Sequence, residues 1–71
     1  MTIPQLHLCR CLLSRGFGVE LLDIFLRRCG ATPEDWRELV AMDWVYSADG
    51  VYYLTREGKK AYQQAKKGKW F

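Results

Sequence analysis

Apolar positions fall in different rhythms along this chain, and each change of rhythm marks a new element. Leu6, Leu8, Leu12 and Leu13 lie in a stretch that Thr2 and Gln5 open with the spacing of a capping box, which predicts a helix starting near Ile3. Pro4 suits its first turn, and Gly16 is placed to end it. A second helix is expected from about Val19 to Cys29, because Val19, Leu22, Phe25, Leu26 and Cys29 recur at three- and four-residue intervals. Gly30 follows where a left-handed cap belongs. A third helix, Pro33 to Met42, has Thr32 as N-cap, Pro33 at its first position, and Glu34 and Asp35 at the positive end of its dipole. Trp36, Leu39 and Val40 give it a short apolar face.

After Asp43 the period shortens to two. Residues 44–47 (WVYS) and 51–54 (VYYL) are rich in β-branched and aromatic side chains, and Asp49-Gly50 between them is a two-residue hairpin turn. That turn sets the register: Val45 faces Leu54 and Ser47 faces Tyr52 on one side, while Trp44, Tyr46 and Tyr53 fall on the other. Thr55 then caps a last helix running to about Lys67, with Tyr62 and Ala65 on one side, before Gly68 releases the tail Lys69-Trp70-Phe71. The fold class expected is mainly α with a β-hairpin, in the order α-α-α-β-β-α, as a single domain over 1–67 and a short tail over 68–71. At 71 residues the chain has room for one modest core.

The stretch from Val19 to Tyr62, about two-thirds of the chain, resembles a winged helix-turn-helix. The features that carry this are the helix 19–29, the turn at Gly30, the helix from Pro33, and the segment LVAMDWVYSADGVYYLTREGKKAY. That segment is similar to the wing of bacterial regulators of the MarR and PadR kind, with Val45 as the apolar anchor and Leu54-Thr55-Arg56-Glu57-Gly58 as the closing motif. The resemblance implies that the helix from Pro33 lies in the major groove of DNA and that the hairpin tip touches the neighbouring backbone. Here the implied reading helix departs from the pattern. Its polar residues are Glu34, Asp35, Arg37 and Glu38, where groove helices offer cations and amides. The tip, Ser47-Ala48-Asp49-Gly50, has no cation either.

The formal charge of +3 is unevenly spread. Residues 1–55 carry five Arg against seven carboxylates, whereas Arg56 to the end carries six cations against Glu57 alone. Lys59, Lys60, Lys66 and Lys67 recur at near-heptad spacing, which predicts a basic ridge able to hold phosphates without reading sequence, or else a solvated face. Trp44, Tyr46 and Tyr53 are of the types that anchor protein interfaces, or are core if a helix covers them.

Several classes are disfavoured. No apolar run approaches the length of a membrane span, and His7 and Arg10 break the early apolar stretch that a signal peptide would need, so a cytoplasmic protein is expected. Cys9, Cys11 and Cys29 are an odd number without metal-ligand spacing, and read as small hydrophobes in a reducing compartment; no metal or other cofactor is expected. His7 stands without a triad, and Gly16-Phe17-Gly18 is too short for a dinucleotide loop, so no enzyme is expected.

Two functional expectations remain. The first is a small DNA-binding transcriptional regulator, a homodimer on double-stranded DNA, with Arg37, Arg56, Lys59, Lys60, Lys66 and Lys67 at the phosphates. The alternative is a winged-helix protein-interaction module, a small inhibitor of a host or viral machine such as an anti-CRISPR or polymerase inhibitor. It would present Glu34, Asp35 and Glu38 to a basic partner, or Trp44, Tyr46 and Tyr53 to an apolar one.

Overall fold

The computed structural model describes residues 1–67, and the Lys69-Trp70-Phe71 tail lies outside them. Along the chain run α1 (Ile3–Ser14), β1 (Phe17–Gly18), a single 3-10 turn (Val19–Leu21), α2 (Leu22–Cys29), α3 (Pro33–Ala41), β2 (Val45–Ala48), β3 (Val51–Leu54) and α4 (Arg56–Lys67). The protein is mainly helical with a three-stranded antiparallel sheet in the order β1-β3-β2, compatible with a winged-helix-like arrangement.

The starts of α1, α3 and α4 are where the side chains predict them. Thr2 and Gln5 form a full capping box, and Thr32 and Asp35 form a second. The helix expected from Val19 begins as a 3-10 turn and becomes α-helical only at Leu22. Gly30, at φ 68°, closes α2 in the left-handed conformation. Asp43 adopts the same region at φ 62°, and the Trp44 N–H reaches back to the Leu39 carbonyl to close α3.

The hairpin register is the expected one, with Val45 opposite Leu54 and Ser47 opposite Tyr52. Asp49 and Gly50 both have positive φ, as a tight hairpin turn requires. β1 was not expected, since two residues are too few to show a period. It exists because Gly16, at φ 73°, turns the chain after α1 so that Phe17 pairs with Tyr52 and Gly18 with Val51. A Cβ on Gly16 would collide with the Tyr52 carbonyl, so glycine is required there twice over. Phe17 is buried and its ring stacks on Phe25 at 4.3 Å, with Trp36 and Tyr52 closing an aromatic cluster beside it.

The core draws on every helix and on the sheet. Leu6, Leu8, Cys9 and Leu12 of α1 meet Leu26 of α2, Trp36 and Leu39 of α3, Val45 and Leu54 of the hairpin, and Tyr62 of α4. Val40, expected on the apolar face of α3, is instead 50% exposed, and Leu13 also faces solvent.

The Leu54-Thr55-x-x-Gly58 segment has a specific packing role. Leu54 is core, and Thr55 donates its hydroxyl to the Asp43 carbonyl (2.8 Å) while accepting from the Gly58 N–H (3.0 Å). The Thr55 N–H donates to the Trp44 carbonyl at 2.9 Å. Gly58 is buried against that same carbonyl, and a Cβ would collide with it. Gly58→Ala should therefore destabilise the protein by about 1–3 kcal/mol through overpacking, although alanine is the better helix former. Urea denaturation should show this loss, whereas Gln63→Ala on the exposed side of α4 should change stability by less than about 0.5 kcal/mol.

Candidate functional site

Arg10, Arg15, Arg28, Lys59 and Lys66, from three different helical segments, line three clefts whose walls carry no carboxylate. Between α1 and α4, one cleft is lined by Leu6, His7, Arg10, Tyr62 and Lys66. Further along the same helix pair, Arg15 and Lys59 share a cleft with Leu13, Tyr46 and Tyr53. On the other flank of α1, a larger hollow of about 590 Å³ lies against α2, with Arg10, Arg15 and Arg28 on its walls. The helical period explains this convergence. Leu6, Leu8, Cys9 and Leu12 are committed to the core, so His7, Arg10 and Ser14 are left on the outer face of α1. In α4, Gly58 and Tyr62 face inward, which places Lys59 and Lys66 on the flank beside α1.

Of the six cations expected at phosphates, Arg56, Lys59, Lys60, Lys66 and Lys67 all lie exposed on α4. Arg37 is exposed too, but it stands on α3 and lines none of these clefts. Arg10, Arg15 and Arg28, more than twenty-five residues before α4 in the chain, come to these clefts only through the packing of the helices. The missing signal was which face of α1 is buried, and that depends on what packs against it.

The carboxylates of α3 are not equivalent. Asp35 accepts from the Thr32 N–H at 2.9 Å, as part of the cap. Glu38 accepts from the Gln5 amide at 2.7 Å, and the same amide nitrogen donates to the Asp35 carbonyl at 3.0 Å. Gln5 is only 3% exposed, so these bonds satisfy a polar group that the fold has buried, and they fasten α1 to α3. Glu34 is exposed and has no such duty.

The three aromatics expected to share the outer face of the hairpin are divided. Tyr46, 48% exposed, lies beside Tyr53 with ring centroids 5.6 Å apart. Trp44 precedes the strand and packs against the core, lining a groove of about 250 Å³ with Met1, Gln5, Glu38, Ala41 and Met42.

Cys9 is fully buried, which pushes its thiol up to about 11 despite the opposing charge of the amino terminus. Cys29 is also raised, first by burial and then by the adjoining Cys11. Among the described residues no three His, Cys, Asp or Glu side chains gather as a metal site, and no helix is long and apolar enough to cross a membrane.

No family model, curated protein or solved structure matches the chain.

The two exposed acids of α3 should separate in a stability measurement. Glu38→Ala removes the charged acceptor of a buried amide and should lower unfolding free energy by about 1–2 kcal/mol. Glu34→Lys should change it by no more than about 0.5 kcal/mol, read by the same urea titration.

Proposed function

We propose that this chain is a small DNA-binding protein of the winged-helix kind that holds duplex DNA by its phosphates and acts in transcriptional regulation. The observation that carries this reading is the pair of clefts where α1 meets α4, which no carboxylate lines: Arg10 and Lys66 stand on the walls of one, Arg15 and Lys59 on the walls of the other. Arg56, Lys60 and Lys67 extend the positive charge across the outer side of α4, where Glu57 is the one acid of the helix. Neutralising a row of phosphates releases counterions, and this favours association without any base contact. α3 contributes little to that attraction, because Glu34, Asp35 and Glu38 outnumber Arg37. Recognition in this reading therefore rests on the backbone and on duplex shape more than on base edges.

A second reading, protein capture, is favoured by the groove between the start of α1 and the end of α3. Met42 is 56% exposed at the mouth of the groove that holds Trp44 and Glu38, and Val40 is exposed on the same helix. An apolar segment with a cation at one end would suit that groove.

Fluorescence anisotropy with a random-sequence duplex tests the first reading. Binding is expected at micromolar protein in about 50 mM salt and should fall steeply by about 200 mM, because each engaged phosphate contributes a log–log slope of about −0.9. Lys59→Glu with Lys60→Glu should weaken it at least about tenfold, while Arg37→Ala should have a smaller effect. No binding at the low-salt end would overturn DNA binding and leave the groove beside Trp44 as the surface to pursue.

A further inference from the structure

We propose that the hollow between α1 and α2 is a binding site for a small organic polyphosphate of the nucleotide class. Its volume of about 590 Å³ is within the range of small-molecule sites, which run from about 300 to 1,000 Å³. The charged groups on its walls are Arg10, Arg15 and Arg28, with His7 as a further nitrogen donor and no carboxylate to neutralise them. None of the side-chain hydrogen bonds among the described residues engages these arginines or His7. The planar forks of their guanidinium groups match phosphate oxygens two at a time.

The remaining lining explains why the ligand is organic. Phe25, Cys11 and Cys29 form an apolar surface between the cations. The Phe25 ring stacks on the buried Phe17, and the Arg28 guanidinium lies over it, 6.0 Å from its centroid. Arg10 and Arg15 are more than one helical turn apart, and Arg28 comes from the other helix, so the positive charge spans more than a single phosphate would use. A ligand with two or three linked phosphates and a flat apolar part meets both halves of the site. Arg10 and Arg15 are shared with the α1–α4 face, but Arg28 and the Phe25 surface belong to α2 alone, so the site does not depend on duplex binding.

Isothermal titration with magnesium-free ATP, with adenosine as control, is the direct test. ATP should bind saturably at one site per chain, adenosine at least about tenfold more weakly, and Arg10→Gln with Arg28→Gln should lower ATP affinity at least about tenfold. Both arginines are exposed, so circular dichroism should show an unchanged fold. Lys59→Glu with Lys60→Glu should leave ATP binding intact, and Arg28→Gln should leave duplex binding intact, which keeps the two proposals separate. Alkylation by iodoacetamide gives a second readout: bound ATP should slow modification of Cys11 and Cys29, while the buried Cys9 stays unreactive with or without it. No saturation by about 5 mM ATP, equal binding of adenosine, or an arginine double variant that binds as well as the original would overturn the site.

Discussion

Leu8 and Cys9 of α1 are wholly shielded from water because α2, α3, α4 and β3 all pack around that one short helix. A chain of this size can bury one core, and placing a helix at its centre lets twelve residues serve four neighbours. The arrangement has a polar consequence. Gln5 lies in the same buried stripe, so its amide must find partners, and α3 supplies them through the Asp35 carbonyl and the Glu38 carboxylate. One residue thus caps α1, satisfies its own burial and fixes the approach of α3.

The same centrality arranges the charge. With four faces of α1 occupied, its remaining polar strip is narrow, and it is flanked by α2 on one side and α4 on the other. Cations spread over three helices in the sequence are thereby brought to common clefts, while the acids of α3 line none of these clefts. Segregation of this kind concentrates positive potential around α1, because at physiological salt a charge acts over roughly 8 Å. It also leaves α3, the helix that the winged-helix resemblance assigns to the groove, as the part least suited to a polyanion.

Two glycines show how backbone approach constrains the sheet. Gly16 admits the Tyr52 carbonyl and so creates β1, and Gly58 admits the Trp44 carbonyl and so seats α4 on the hairpin. In both cases a methyl group is excluded by a neighbouring backbone oxygen, which cannot move aside as a side-chain end could. The Thr55 hydroxyl ties the second contact to the end of α3, so the turn at Asp43, the hairpin and the start of α4 form one unit.

The helix starts at Thr2 and Thr32, the left-handed Gly30, the Asp49-Gly50 turn and the hairpin register could all be read in the amino-acid order. Each is a local contest, decided by groups within about four residues of one another, where hydrogen-bond chemistry and turn geometry leave few alternatives. β1 was not legible, because two residues carry no period and its partner lies more than thirty positions away. Nor was the division between Trp44 and the Tyr46–Tyr53 pair, since β2 starts only at Val45 and Trp44, just after the left-handed Asp43, packs on a core contributed by distant helices. The cationic clefts, the exposure of Val40 and the hydrogen bond from Gln5 to Glu38 belong to the same class. They depend on which faces meet, and that is decided when distant apolar stripes are buried together around α1.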